Sequence, residues 1–212
     1  MQNQRWDDIH SSYTEKDWIN RPSIFAEQVF EHLPKTGTLL DLGAGLGQDS
    51  RYFASRGFRV VSTDNGDKAL TENKTRSKNV PNVSVESLDL EERFPFPNAK
   101  FDVVYAHLSL HYFSDRKTQE ILKEISRVLR PDGIFAFFTN STDDPEFDTG
   151  KEIEPYYFEV EGLNKRYLNP QEARRFAESA GFVEILCDNE GETYKDAAKG
   201  IHNLIRYVGH KT

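Results

Sequence analysis

The chain has 212 residues, of which 37% are hydrophobic and 29% charged, and its formal net charge at pH 7 is -8. This length is that of one domain with a full core, and the composition is that of a globular rather than a disordered protein. The negative charge argues against nucleic-acid binding, which depends largely on neutralising phosphates. The longest apolar runs are too short to cross a bilayer. We therefore expect neither a nucleic acid nor a membrane as partner.

The cysteine content and the N-terminus indicate the cellular compartment. Cys187 is the single cysteine, which excludes an internal disulfide and a cysteine-based zinc site. The first residues lack the apolar core of a secretory signal. His107 and His111 stand four residues apart without an evident third ligand, so no metal site is predicted. These features predict a cytoplasmic protein, and the sequence leaves its oligomeric state open.

The apolar pattern alternates along the chain between helical spacing and short buried runs. Helices are predicted over 21–33, 49–55, 67–77, 115–129 and 170–181. Strands are predicted over 38–42, 58–63, 83–88, 101–106, 134–139, 182–187 and 203–208. This alternation predicts an α/β fold with three layers, in which helices cover both faces of a mostly parallel sheet. No clear helix separates the last two strands, which predicts an antiparallel hairpin at one edge.

A glycine-rich turn follows the first strand, in the segment Leu39–Gly47. Glycines allow a left-handed backbone and let a ligand lie against bare main chain at a helix N-terminus. The spacing is G-x-G-x-G, and Gln48 stands where a diphosphate-binding turn has its third glycine. Asp41, just before the turn, is unfavourable beside phosphates. The turn therefore predicts a ligand other than a diphosphate.

Two further acids end the next two strands. Asp64 ends the second strand, where a carboxylate can accept hydrogen bonds from both ribose hydroxyls. Asp89 follows the third strand beside apolar residues, a setting that suits an adenine amino group. Together with Asp41, these acids predict a pocket for a nucleoside that carries positive charge.

These motifs resemble those of class I S-adenosylmethionine-dependent methyltransferases, in particular the small-molecule enzymes of the type 11/25 group. The resemblance covers roughly residues 20–140. In this family the segment that corresponds to Leu129–Gly133 usually ends in Lys-Pro-Gly-Gly, and in this chain Asp132 replaces one of the glycines. The matching motifs are Asp41–Gly47, Asp64, Ser87–Leu90, Phe101–His107 and Leu129–Gly133.

The resemblance implies a fold, a cofactor and a reaction. The fold is a three-layer Rossmann-like sandwich, whose seven-stranded sheet has the order 3-2-1-4-5-7-6 with an antiparallel C-terminal hairpin. The cofactor is S-adenosylmethionine, and its methyl group passes in line to a small-molecule acceptor. The turn holds the methionine part, Asp64 the ribose and Asp89 the adenine. The implied cofactor-binding residues are Arg21, Asp41, Gly43, Ala44, Gly45, Asp64, Asn65, Asp89, Leu90, Ala106 and His107.

The chain is expected to form a single methyltransferase domain. Residues 1–36 make an N-terminal cap segment, 37–140 the cofactor-binding core, 141–168 an insertion and 169–212 a C-terminal helix and hairpin. Between Asp143 and Glu161 stand eight acids and one base, interleaved with aromatic residues. This stretch could form a lid that favours a cationic or amine acceptor. The alternative is a solvated surface loop.

His111 is the candidate catalytic residue, as a general base or a substrate contact. The alternative is a histidine bonded to loop backbone. Arg21 could pair with the methionine carboxylate or lie at the surface. Two other functions stay open, a non-catalytic S-adenosylmethionine-binding or regulatory protein and a nicotinamide-dependent oxidoreductase. The turn's glycine spacing disfavours the oxidoreductase, and so do Ser109 and Arg116, which stand four residues after Tyr105 and Tyr112 in place of a catalytic lysine.

Overall fold

The buried apolar runs pair into one central sheet. The computed structural model describes residues 17–193 and 203–212. The sheet has seven strands in the order β3-β2-β1-β4-β5-β10-β9. Since β9 and β10 are its sixth and seventh strands along the chain, the predicted order is confirmed. The strands are β1 Gly37–Leu42, β2 Phe58–Asp64, β3 Val83–Ser87, β4 Phe101–His107, β5 Leu129–Thr139, β9 Phe182–Gly191 and β10 Leu204–Lys211.

Strand direction places several loops at one edge of this sheet. Strands β1 to β5 run parallel, and β10 lies antiparallel to both β5 and β9. Leu42, the last residue of β1, pairs with Thr63 of β2 on one side and with Ala106 of β4 on the other. The turns that follow these strands therefore meet at the same edge, where open α/β sheets bind ligands.

The helices begin at residues that cap them. Ser114 accepts a hydrogen bond from the Lys117 N–H (3.3 Å) at the start of the helix Asp115–Val128. Asn169 accepts one from the Glu172 N–H (2.9 Å) at the start of the helix Pro170–Ser179. The predicted helix 21–33 is shorter than expected, because Phe30–His32 continues it as a 3₁₀ turn. The helices in the described residues are α1 Ile24–Val29, α2 Gln48–Ser55, α3 Asp67–Ser77, α4 Asp115–Val128 and α5 Pro170–Ser179.

Helices cover both faces of the sheet, and each face has its own core. On one face, Ile121 and Ile125 of α4 and Phe176 of α5 pack against the strands. On the other face, Phe25 of α1 and Phe53 of α2 do so. These apolar positions recur at helical spacing, so each helix buries one stripe and leaves the other face polar. The three-layer α/β prediction is therefore confirmed.

The insertion after β5 is a small sheet of its own, which the sequence pattern did not predict. Its strands pair antiparallel in the order β6-β7-β8. The Leu168 N–H donates to the Asn140 carbonyl (3.0 Å) and the Thr142 N–H to the Leu168 carbonyl (2.9 Å), which joins the insertion to the end of β5. The strands are β6 Lys151–Glu154, β7 Tyr157–Val160 and β8 Leu163–Arg166.

Parts of two predicted features lie outside the described residues. The N-terminal cap segment is described from residue 17 onward, so Tyr13 and the Trp18 side chain lie outside. Residues 194–202, in the connection between the two strands of the predicted C-terminal hairpin, also lie outside. Within the described ranges, no helix is both long and apolar enough to cross a membrane.

Candidate functional site

Three glycines shape the turn between β1 and α2. Gly43, Gly45 and Gly47 have φ of 66°, 54° and 73°, in the left-handed region. A Cβ atom on Gly43 would lie 2.4 Å from the Cβ of Ser109, and one on Gly47 would lie 2.1 Å from Oδ1 of Asn73. The packing of the protein itself therefore requires glycine at the first and third of these positions.

The N–H groups of this turn are bonded within the protein. The Ala44 N–H donates to the Thr63 carbonyl (2.7 Å), and the Gly47 N–H donates to the Ala44 carbonyl (2.9 Å). The Gly45 N–H donates to Oδ2 of Asp64 (2.9 Å). A phosphate at a helix N-terminus depends on N–H groups that are free to donate to it. The turn therefore lacks, at these three positions, the donors that a diphosphate would need.

Asp64 stands at the end of β2 as the sequence predicts, and its side chain is 8% exposed. Its Oδ1 accepts a hydrogen bond from the Gly66 N–H (2.9 Å), while Oδ2 accepts the one from Gly45. These bonds fix the orientation of the carboxylate. Each carboxylate oxygen has two lone pairs, so each can accept a second hydrogen bond from a ligand hydroxyl. Asn65, the next residue, is exposed.

The end of β3 lies beside Asp64. The Leu88 N–H donates to the Asp64 carbonyl oxygen (2.9 Å), which holds the two strand ends together. Asp89 follows with an exposed side chain, whose Oδ1 accepts the Glu91 N–H (2.9 Å). Leu90 is half-buried. The fold thus brings two acids predicted as nucleoside contacts to adjacent strand ends.

Asp41 lies in the interior rather than at the surface of this crevice. Its side chain is 2% exposed and accepts a hydrogen bond from Ser50 (2.5 Å). Ser50 is also bonded to Ser62 (2.6 Å), which accepts a bond from Asn73 (2.8 Å). Burial, and next the charge of Asp49, raise the pKa of Asp41 to about 8. The Asp41 carboxyl group, which was expected to hold the methionine part, is therefore mostly neutral at pH 7. It supports the glycine turn from the interior of the protein.

Asp49, which no sequence motif singled out, bonds three groups beside the glycine turn. From the first turn of α2, its carboxylate accepts bonds from the Ser23 N–H (2.7 Å), the Ser23 hydroxyl (2.7 Å) and the Tyr105 hydroxyl (2.9 Å). It therefore joins the start of α1 to the turn and to β4. Arg21 stands two residues before Ser23 and is exposed.

The segment after β4 turns sharply toward the glycine turn. Ala106 is buried, and the half-buried His107 ring stacks on Phe138 with centroids 5.0 Å apart. Leu108 has φ of 52°, an unfavourable conformation for a bulky residue. It lets the Ser109 hydroxyl donate to the Leu42 carbonyl (2.7 Å), just before Gly43. This strained residue therefore brings the segment after β4 against the segment after β1.

His111 lies deeper, with 4% of its side chain exposed. Its Nδ1 has no hydrogen-bond partner among the described residues. Burial, and then the positive charge of Lys165 and His107, lower the pKa of His111 to about 3. The ring lines a cavity of about 20 Å³, room for one water molecule, together with Thr139 and Arg166. His111 is therefore a neutral imidazole at pH 7.

The acidic stretch divides into a solvated part and a bonded part. Glu146 forms an ion pair with Lys165 and Glu154 forms one with Arg166, while Asp144 is buried. Burial, and then the charges of Glu146 and Asp144, raise the pKa of the Tyr167 hydroxyl. No group of three potential metal ligands exists within the described residues. The remaining acids of the stretch are exposed: Asp143, Asp148, Glu152, Glu159 and Glu161.

Known proteins match this chain in sequence and in fold. A family model described as a methyltransferase domain matches residues 40–137. An uncharacterized methyltransferase of Synechocystis is 39% identical over 121 residues, which are 54% of this chain and 55% of that protein. A mitochondrial arginine hydroxylase of Homo sapiens is 35% identical over 115 residues, 53% of this chain and 31% of that protein. The chain thus spans about half, or less, of the length of these relatives.

A solved structure extends the likeness beyond the core. The 1,6-didemethyltoxoflavin-N1-methyltransferase of Burkholderia thailandensis, solved with 1,6-didemethyltoxoflavin and S-adenosylhomocysteine, has a TM-score of 0.75 against this chain. The match covers 99% of this chain and 84% of that enzyme at 20% identity. At that identity the likeness concerns the fold.

Proposed function

Residues 40–137 match the model of a methyltransferase domain, and we propose that the protein is a class I S-adenosylmethionine-dependent methyltransferase that methylates a small-molecule acceptor. When bound, the cofactor supplies a methyl group that its sulfonium already makes electrophilic. The protein's part is then to hold the two reactants in line and to exclude water. A cytoplasmic location belongs to the same proposal, on the sequence features given above.

The residues at the crevice fit this cofactor. The glycine turn would take the methionine part, and the two unused lone pairs on the Asp64 carboxylate suit a ribose diol. Asp89 and Leu90 would lie along the adenine, and Ala106 and His107 along the sulfonium side. The observation that carries the proposal is that three N–H groups of the turn, those of Ala44, Gly45 and Gly47, are bonded internally while Asp64 keeps acceptor capacity. The same observation disfavours a nicotinamide dinucleotide, whose diphosphate needs free donors.

The role proposed for His111 follows from its burial. A general base works best when its pKa lies near the operating pH, and the pKa of His111 is about 3. We therefore propose that His111 orients the methyl acceptor through a neutral imidazole and does not carry away its proton. Replacing His111 by Gln keeps a polar side chain of similar reach without a titratable ring. The pH profile of this variant's kcat should keep the wild-type shape, and a changed profile would contradict the proposed role.

For the acceptor, we propose a small molecule with an amine or cationic group. Asp144 is buried, the charges of Asp144 and Glu146 both act on the Tyr167 hydroxyl, and that hydroxyl lies 3.5 Å from Oε2 of Glu146. In a panel of amines, alcohols and carboxylic acids, turnover should be confined to the amines. Asp144→Asn should raise the KM of the best amine, while the exposed control Asp148→Asn should not. A preference for neutral or acidic acceptors would exclude this substrate class.

Calorimetry tests the cofactor assignment directly. We expect S-adenosylmethionine and S-adenosylhomocysteine to bind and NAD not to bind. Asp64→Asn should weaken both by about 1–3 kcal/mol through lost charge-assisted hydrogen bonds. The matched control is Asp67→Asn, an exposed acid three residues later in the first turn of α3. Equal binding by Asp64→Asn and wild type would remove Asp64 from the site.

The non-catalytic alternative has its own signature. A protein that binds S-adenosylmethionine or regulates a partner would bind the two cofactor forms in calorimetry yet methylate none of the acceptors. Since the human relative is named as a hydroxylase, the acceptor panel should also be analysed by mass spectrometry. A gain of one oxygen in place of one methyl group would exclude the proposed reaction.

A further inference from the structure

The loop that connects β4 to α4, residues 108–114, is held at both of its ends. On the side of the glycine turn, the Ser109 hydroxyl donates to the Leu42 carbonyl (2.7 Å) and the Leu108 N–H donates to the Phe138 carbonyl (2.9 Å). The other half of the loop contains His111 and leads into Ser114, the N-cap of α4. The residues that hold that end come from the insertion.

Three consecutive carbonyl groups of this loop accept hydrogen bonds from the insertion. The Arg166 N–H donates to the carbonyl of His111 (2.7 Å), and Nε of Arg166 donates to the carbonyl of Phe113 (3.0 Å). Between them, the Tyr157 hydroxyl donates to the carbonyl of Tyr112 (2.9 Å). Because successive peptide groups are fixed in turn, the loop cannot move relative to β7 and β8 without breaking all three bonds.

The Arg166 side chain is enclosed by groups that hold it in one orientation. It is 2% exposed, and its guanidinium forms an ion pair with Glu154. The guanidinium carbon also lies 5.0 Å from the ring centre of Tyr157 and 5.6 Å from that of Phe176. Glu154 in turn accepts a bond from the N–H of Asp115, the first residue of α4. A planar guanidinium bonded in this way fixes both direction and distance.

We propose that Arg166 is a positioning residue for methyl transfer, which fixes the His111–Phe113 backbone and so sets the acceptor side of the site. The proposal rests on the proposed function, since it assigns Arg166 a part in the same reaction. It also makes the β6–β8 sheet a fixed wall of the site, in place of the lid that the sequence suggested. Arg166 acts through the backbone of the loop, without contact to the methyl acceptor.

The test compares Arg166→Lys with a matched control. Lysine keeps the charge but loses the planar fork, so it cannot bond both Glu154 and the Phe113 carbonyl in the same geometry. We expect a drop on the order of ten- to a hundredfold in kcat/KM for the methyl acceptor, with S-adenosylhomocysteine affinity unchanged. The control is Arg174→Lys, since Arg174 also bonds a glutamate, Glu184, and a carbonyl, that of Cys187, but is exposed. It should leave both quantities unchanged.

A spectroscopic readout separates this proposal from the proposed function. With isotope-labelled histidine, the His111 ring should give one sharp set of resonances in wild type and in Arg174→Lys. In Arg166→Lys these resonances should shift or broaden as the loop loosens. This measurement needs no turnover, so an inactive wild-type protein would overturn the proposed function alone. Wild-type resonances and wild-type kcat/KM in Arg166→Lys would overturn the role of Arg166.

If Arg166→Lys does not fold, Tyr157→Phe carries the test. Phenylalanine keeps the buried ring and removes only the hydroxyl that donates to the Tyr112 carbonyl. We expect kcat/KM for the methyl acceptor to fall severalfold, again with unchanged S-adenosylhomocysteine affinity. An unchanged kcat/KM in this variant would show that the hold on the loop does not affect the reaction.

Discussion

Asp41 makes the stability of this protein depend on pH. Burial raises its pKa from 3.8 to about 8, so the folded state binds the proton more tightly than the unfolded state does. Its contribution to the free energy of unfolding therefore falls as the pH rises from about 4 to about 8. In Asp41→Asn this contribution is absent. The variant should gain stability relative to wild type by up to about 1.4 kcal/mol per pH unit across that range.

Urea unfolding between pH 4 and 8 measures the difference, and Asp102→Asn supplies a control whose stability difference from wild type should stay constant over this range, because the lowered pKa of Asp102 lies below it. Asp102 is partly buried, which opposes the shift, but bonds from Thr38 and Arg130 lower its pKa on balance. Its stabilising contribution is present at neutral pH and is lost as the pH falls through the folded-state pKa. Parallel curves for Asp41→Asn and wild type would contradict the neutral state of Asp41.

Alanine substitutions at Gly47 and Gly57 should separate the stability cost of backbone strain from that of steric overlap. Both have positive φ, of 73° and 101°. The nearest neighbour of an added Cβ is Oδ1 of Asn73 at 2.1 Å for Gly47, but Cγ2 of Thr36 at 3.5 Å for Gly57. Gly57→Ala should therefore lose about 1–2 kcal/mol of unfolding free energy from strain alone. Gly47→Ala should lose a further 1–3 kcal/mol or so from overpacking, measured by urea unfolding. Equal losses would contradict the overlap.

At the scale of single residues, the sequence was informative where a residue acts through local geometry. Gly43, Gly47 and Asp64 could be predicted because their positions follow from a strand end and the turn after it. Asp49 and Arg166 could not, because Ser23 and Tyr105, which bond Asp49, and the Phe113 carbonyl, which accepts from Arg166, lie 26 to 56 residues away along the chain. Such pairings appear only once the strand order is known.

At the scale of elements, the β6–β8 sheet was not predicted, because its charged residues obscure the alternating apolar pattern of a strand. Its strands carry acids on their exposed face, so the stretch has the composition of a solvated loop. One local signal was present. Glu161 and Gly162 have φ of 50° and 74° between the paired residues Val160 and Leu163, which is the geometry of a two-residue hairpin turn with positive φ at both positions. A Glu-Gly pair between two apolar-containing segments favours such a hairpin.

The ion pair between Arg166 and Glu154 should be the main electrostatic support of this sheet. Glu154→Gln leaves a guanidinium that is 2% exposed without its counter-charge, whereas Glu154 itself is 31% exposed. We expect a loss on the order of 3 kcal/mol, near the lower end for a broken buried pair. Glu184→Gln breaks an exposed pair with Arg174 and should lose at most about 1 kcal/mol. Thermal unfolding of both variants measures the contrast, and similar losses would contradict it.

At the scale of the whole molecule, cofactor binding should raise the stability of the entire fold. The proposed residues lie on the turn after β1, the end of β2 and the segments after β3 and β4, so one ligand would join four strand ends. At a concentration one hundred times its Kd, S-adenosylhomocysteine should add about 2.7 kcal/mol. For a chain of this size that corresponds to a rise in Tm of about 5–10 °C. Thermal scans should show this rise and none with NAD; the reverse result would exclude the assigned cofactor.

The order of the strands was predictable as a whole, although their bounds were not. Alternation of helices and strands predicts a mostly parallel sheet with right-handed crossovers, and the resemblance to methyltransferases implies the order of its strands. The extension of β9 to Gly191 and of β10 to Lys211 was not predictable, since those residues are polar and charged and owe their strand state to pairing with each other.

The position of β10 between β5 and β9 imposes a sequence of events on assembly. Strand β9 pairs only with β10, which comes later in the chain, so β9 cannot join the sheet until residues 204–211 have been inserted. Before that segment is made, the first five strands can associate, but Phe176 and Phe182 lack Ile205 and Tyr207 of β10, which belong to the same buried core. The aromatic side chains of α5 and β9 therefore reach their full burial only when the last strand is in place.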